Sequence, residues 1–223
     1  MQIREAYGFL LGLSTGVTLL TTTSYRRVSP AWLKWLLIIS GMLLIVHELT
    51  LTLLISSISI DHLWALRFIW YLMPMALLFP GVMAIDQLLR HPAMSPNMLL
   101  RWLAPFLGAD LLIISLARLT VAPNLVVGWM PVLERGWAML SLLLHEALLL
   151  AAVVGCFFLI RKPLPRAMRQ ALCGLVVGFA ALGLAVVFLL TQKWLSLLLS
   201  ELPMLFALWY AYETSTELQR TGG

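Results

Sequence analysis

The sequence predicts an all-α, polytopic membrane protein, a bundle of seven transmembrane helices with the N terminus outside and the C terminus in the cytoplasm. Three observations predict it. Hydrophobic residues make up 61% of the chain and charged residues only 11%, whereas a soluble domain carries about 25% charged residues. The apolar residues fall into runs long enough to span a bilayer, which takes about 20 residues per helix. Basic residues collect at alternate ends of those runs.

The runs lie at 6–24, 32–57, 63–88, 99–121, 136–160, 167–191 and 194–212. Polar or proline-bearing segments divide them: Tyr25 to Pro30, Ser59 to His62, Arg90 to Asn97, Ala122 to Arg135, and Arg161 to Arg166. The sixth and seventh runs are parted only by Thr191, Gln192 and Lys193. One long broken helix is the alternative there, although it would far overshoot a membrane. Helices are required because lipid offers no hydrogen-bond partners to an open strand, and the runs lack the period-two alternation of barrel strands. The first run is not read as a cleaved leader, because its basic pair, Arg26 and Arg27, follows the apolar stretch.

Charge sets the threading. The first, third and fifth connections with the C-terminal tail carry Arg26, Arg27, Lys34, Arg90, Arg101, Arg161, Lys162, Arg166, Arg169 and Arg220. The other side carries Arg4, Arg67, Arg118, Arg135 and Lys193. Short loops rich in Lys and Arg stay cytoplasmic. The positive charge therefore points to anionic lipid of the inner leaflet and gives no reason to expect nucleic acid.

Small residues and prolines mark packing. Gly8, Gly12 and Gly16 in the first run, and Gly174 and Gly178 in the sixth, recur every four residues and share a helix face that admits a close neighbour. That neighbour is expected within the bundle, or for the first run in a homodimer. Pro74, Pro80, Pro105 and Pro203 are expected to kink their helices. Trp32, Trp35, Trp64, Trp102, Trp129, Trp137 and Trp194 sit near predicted ends as interfacial anchors. Cys156 and Cys173 read as small buried apolar residues.

The ionisable residues inside the runs are the candidate site. His47 and Glu48 lie in the second run, Asp110 in the fourth, His145 and Glu146 in the fifth, and Glu201 in the seventh. Such groups are costly in lipid and mark function by default. Under the threading above they occupy one slab of membrane, with Arg67 and Arg118 placed to reach it from outside. Three readings of this cluster stay open. It is a hydrogen-bonded network that fixes packing, a pocket that senses a small molecule or protons, or a cofactor site in which His47 and His145 ligate a b-type haem or a metal. His62 and His91 fall in connections, and Asp86 with Gln87 reads as an interfacial cap. No catalytic motif is complete: Leu51 and Leu149 stand where the second histidine of H-E-x-x-H belongs, and no G-x-S-x-G or phosphate loop occurs.

Several segments resemble the seven-transmembrane N-terminal sensor region of bacterial histidine kinases. They are HELTLTLL in the second run, LWALRFIWYLMP with LLFPG in the third, and LIRKPLPRAMRQALCGLVVG entering the sixth. The resemblance implies a bacterial inner-membrane module that detects a signal at or within the membrane and passes it to a cytoplasmic output. The tail after the last run is too short for a phosphoacceptor or ATP-binding domain, so the output is expected from another domain or a partner protein. An accessory subunit of a larger membrane complex is the alternative role. The seventh run has no central lysine for a retinal Schiff base.

Overall fold

The computed structural model describes residues 3–55, 67–89, 95–124, 128–190 and 195–221. The helices are α1 (Ile3–Ser24), α2 (Ala31–Ile55), α3 (Arg67–Tyr71), α4 (Met73–Leu89), α5 (Pro96–Leu116), α6 (Arg135–Ile160), α7 (Arg166–Leu190) and α8 (Leu195–Thr221). A 3-10 turn, Tyr25–Arg27, follows α1. The protein is predominantly helical, and α2, α5, α6 and most of α7 are each long and apolar enough to cross a membrane. These four mark a multi-pass membrane protein, and α4 is equally apolar but shorter.

α3 and α4 form one run that bends at Leu72. Its backbone ladder carries through, with Leu72 N–H bonded to Phe68 O and Ala76 N–H to Leu72 O at 2.9 Å each. Pro74, just beyond the bend, brings no N–H of its own to that ladder. Pro80 orphans a second carbonyl, that of Ala76. Ser40 Oγ of α2 donates to it at 2.6 Å, so a neighbouring helix satisfies the group that proline abandons.

The fourth run ends earlier than its composition implies. α5 stops at Leu116, Ala117 is extended, and residues 119–121 belong to a strand. β1 (Leu119–Asn124) pairs antiparallel with β2 (Gly128–Leu133), from Leu119 opposite Leu133 to Asn124 opposite Gly128. The fold is all-α as expected, and this short hairpin is a local departure at the end of the fourth run. Arg67 stabilises the helix end by donating to the carbonyls of Ile114 and Ser115, which lack intrahelical donors at a C-terminus. Leu119 and Leu133 close over Ile113 and Ala117, against Tyr71 and Trp137. The Tyr71 hydroxyl accepts from Leu133 N–H at 3.0 Å.

Side-chain contacts give the helix directions. Gly178 lies against Met204 and Gly174 against Ala207, and Gln170 accepts from Tyr210. One number falls as the other rises, so α7 and α8 are separate antiparallel helices, which sets aside the single broken helix. The junction itself, 191–194, lies outside the described residues, as do His62, His91 and Lys193. Ser14 and Thr18 meet Glu48, and Thr22 meets Gly41, so α1 and α2 are antiparallel. Thr21 reaches Leu205, Tyr25 stacks edge-on against Tyr212 at 4.8 Å, and Arg27 pairs with Glu213 at 3.2 Å, so α1 and α8 are parallel. At the same end, Tyr212 and Ser215 donate to the carbonyls of Pro80 and Gln87 on α4. Asp86 and Gln87 are buried there beneath α8, which corrects the expectation of an interfacial cap. α8 thus packs on α1, α4 and α7 together, while α5 and α6 leave much of their apolar surface outward.

The glycines divide sharply. A Cβ at Gly178 would come within 3.0 Å of the Met204 backbone, and one at Gly81 would strike Met204 and Phe179. Beside Gly8, Gly12 and Gly16 a Cβ would meet nothing within 4 Å among the described residues, so there this stripe of α1 faces outward. Cys156 is buried as expected, but Cys173 is exposed. Among the tryptophans, Trp35 and Trp102 are exposed, as anchors should be, whereas Trp32 packs on the core.

Gly178→Ala is therefore expected to destabilise the detergent-solubilised protein by about 1–3 kcal/mol, because backbone must move to admit the methyl. Gly12→Ala is expected to be neutral or slightly stabilising, by up to about 1 kcal/mol. Thermal unfolding of the two variants side by side checks both.

Candidate functional site

The ionisable side chains of the apolar runs point inward. Glu48, His47, Asp110, His145 and Glu201 are each no more than 3% exposed. They arise on helices that place one polar residue among aliphatic ones, so burying the apolar faces carries the polar group inward as well. The desolvation cost is large and shows in how each group is surrounded.

One set sits between α1, α2 and α8. Glu48 Oε1 accepts from Ser14 Oγ at 2.7 Å and from Thr18 Oγ1 at 2.9 Å. The two hydroxyls are four residues apart and so share one face of α1. Glu201 on α8 lies close enough to Glu48 for the two carboxyl groups to interact, and Tyr7 on α1 lies within the field of Glu201. Glu48 Oε2, Glu201 Oε1 and the Tyr7 hydroxyl are buried without a hydrogen-bond partner.

The second set joins α5 and α6. Ser141 Oγ donates to Asp110 Oδ1 at 3.3 Å, and His145 Nε2 stands 3.6 Å from Asp110 Oδ2. His145 Nδ1 lies 2.7 Å from the Ser141 carbonyl oxygen, one helical turn away. If Nδ1 carries the proton, it donates to that oxygen and leaves Nε2 as the ring's acceptor. Asp110 is wholly buried, so the trio ties α5 to α6 where the two helices otherwise touch little. Glu146 is partly buried and rests on α7, where a Cβ at Gly183 would come within 3.3 Å of its Oε2. Glycine at that position makes room for the carboxyl group.

The two arginines stand elsewhere. Arg67 serves the end of α5 and lies over the Phe68 ring at 5.2 Å, and Arg118 is exposed. Neither forms an ion pair with a carboxylate among the described residues. Tyr7, Ser14, Thr18 and Ser141 complete the two sets and were not singled out from sequence. The four-residue spacings Ser14–Thr18 and Ser141–His145 are the signals that point to three of them.

His47 is buried on α2 and His145 on α6, and each of those helices packs on α4. A ligand at His145 would have to displace Asp110 or Ser141. Among the described residues, no three His, Cys, Asp or Glu side chains converge as a metal site.

No protein-family model, no curated protein and no solved structure matches this chain.

Ser141→Ala is expected to destabilise the protein by about 1–3 kcal/mol, because it removes a donor from a buried carboxyl group. Ser141→Thr, which keeps the hydroxyl, is expected to restore most of the loss. Denaturation midpoints of the two variants in detergent check this.

Proposed function

We propose that the chain is a sensor or receptor-like module of the bacterial inner membrane. In this reading it spans the bilayer seven times, with its N terminus outside. It detects a signal at the interior polar site and passes it to a cytoplasmic output supplied by another domain or protein. One observation carries the reading. α8 bears Glu201 at the buried site and continues without interruption to the polar turns around Glu213, Glu217 and Arg220. A change of charge or occupancy at Glu201 therefore acts on the same helix, bearing Pro203, that ends among Arg27, Gln87 and Ser215. The likeness of its segments to sensor regions of histidine kinases, and the absence of a complete catalytic motif, support the same role.

A signalling element needs two arrangements whose balance the site can bias. The polar fastenings at the inner end of α8 include single hydrogen bonds and one exposed ion pair, Arg27 with Glu213. Each of these is worth about 1 kcal/mol or less, so none of them alone fixes the end of α8.

Two measurements test this. Reporter fusions at the two chain ends are expected to fall in opposite compartments, and ends on the same side would refute the threading. In a Cys156→Ala, Cys173→Ser background, a Gln87→Cys, Ser215→Cys pair is expected to cross-link in membranes at a rate that Glu201→Gln changes by about fivefold or more. An unchanged rate would detach the site from α8 and remove the sensor reading.

A further inference from the structure

The turn between α6 and α7 concentrates positive charge. Arg161, Lys162, Arg166 and Arg169 fall within nine residues, and no Asp or Glu occurs between Glu146 and Glu201. All four are exposed, and among the described residues none forms an ion pair. The turn is tightly made. Lys162 N–H bonds to Leu159 O at 2.9 Å, and Pro163 and Pro165 fix their own φ. Arg169 reaches back from α7 to donate to Leu164 O at 3.3 Å, and Arg166, three residues before it, is its neighbour on the helix surface. Four like charges are thus held close together, with no acidic residue in the turn to offset them. An anionic phosphate group relieves that repulsion and accepts hydrogen bonds from the guanidinium groups.

Helix directions put this turn at one end of the bundle with other basic residues. Gln170, near the start of α7, meets Tyr210 towards the end of α8, and Tyr212 meets Tyr25, beside Arg26 and Arg27. α5 ends against the start of α6, where Ala117 packs with Leu133, so Arg101 near the start of α5 lies at the same end. The turn differs from this wider rim in what adjoins it along the helices. Phe157 and Phe158 precede Arg161 and Lys162 by four residues, and Cys173 and Val177 follow Arg169 by four and eight. Residues four apart share a helix face, and these four side chains are exposed. Each helix therefore carries its cations above an uncovered apolar strip. An acidic protein segment in water would need only the charge. A phospholipid uses both, with its phosphate at the turn and its acyl chains along the strips.

We propose that Arg161, Lys162, Arg166 and Arg169 form a binding site for a phospholipid with a net negative headgroup, seated at the turn between α6 and α7. The site is separate from Glu48 and Glu201, and it holds for either threading of the bundle.

Thermal unfolding of the full chain in a neutral detergent tests the site. Dioleoylphosphatidylglycerol, dioleoylphosphatidylcholine and glycerol phosphate, which has no acyl chains, are compared at equal ionic strength. Phosphatidylglycerol is expected to raise Tm saturably, by about 5 °C or more at about a hundredfold excess over Kd. The other two are expected to raise it by less than about 1 °C. Arg166→Gln with Arg169→Gln is expected to raise the half-saturating phosphatidylglycerol concentration by about tenfold or more, and so is Arg161→Gln with Lys162→Gln. Arg26→Gln with Arg101→Gln removes equal charge from the same end and is expected to change it by less than about threefold, because salt screens charges beyond a Debye length. No saturable shift with phosphatidylglycerol would overturn the site. Equal losses in all three double variants would overturn it too, by leaving only a diffuse positive rim. A shift of equal size with phosphatidylcholine or with glycerol phosphate would also overturn it. Each of these outcomes leaves the sensor reading intact.

Discussion

Satisfying polar groups where water is absent is the constraint on which the rest of this structure depends. In lipid an unmatched N–H or C=O costs several kcal/mol, so each departure from a regular apolar helix has to be answered by a neighbour. Pro80 breaks the ladder of α4, and Ser40 of α2 takes up the carbonyl it leaves. α5 ends among apolar residues, and Arg67 takes up its last carbonyls. These answers come from residues far apart in sequence, so each also specifies which helices are adjacent. Apolar packing alone, which is non-directional, would not.

The same constraint explains the division of labour among helices. α4, α7 and α8 are held together by contact of backbone with side chain, at Gly81 and Gly178 against Met204, and by the hydroxyls of Tyr212 and Ser215. α5 and α6 are joined chiefly through Asp110, Ser141 and His145 and turn long rows of Leu and Phe outward. A tight centre with a looser flank is mechanically suited to a bundle in which one helix moves against a fixed frame. α8 is in the centre by packing, and its polar contacts at Arg27, Gln87 and Pro80 lie at one end of it.

Much of the helix layout was legible because lipid demands long apolar runs, and the observed helices begin and end close to the punctuation at Pro30, Arg135 and Arg166. The hairpin was not. From Leu111 to Val121 the chain is mostly apolar, broken by Ser115, Arg118 and Thr120, and composition cannot separate coil from extension there. Glycine spacing told which residues share a face but not what that face meets: Gly174 and Gly178 meet α8, while Gly8, Gly12 and Gly16 meet nothing among the described residues. Gly81, in one of the closest contacts, has no periodic companion to announce it. The ionisable members of the site could be read one by one, because charge in an apolar run is conspicuous. Their grouping could not, because hydroxyls such as Ser14, Thr18 and Ser141 are common in membrane helices and often bond only to their own backbone, as Thr15 does to Leu11.

That distinction bears on what the interior polar groups are for. A network whose only task was to fix packing would be expected to close on itself, since every open valence in lipid costs stability. The trio Asp110, Ser141 and His145 comes near to that, with each side chain facing another. The set around Glu48 and Glu201 is less closed: it leaves oxygens of Tyr7, Glu48 and Glu201, on three helices, without a hydrogen bond. Stability alone would replace Glu201 with an apolar residue, because a well-packed hydrophobe is at least as favourable as a buried charge without a partner. A carboxyl group kept there, on the helix that runs on to the polar end of the bundle, is best explained by something that comes and goes at that position.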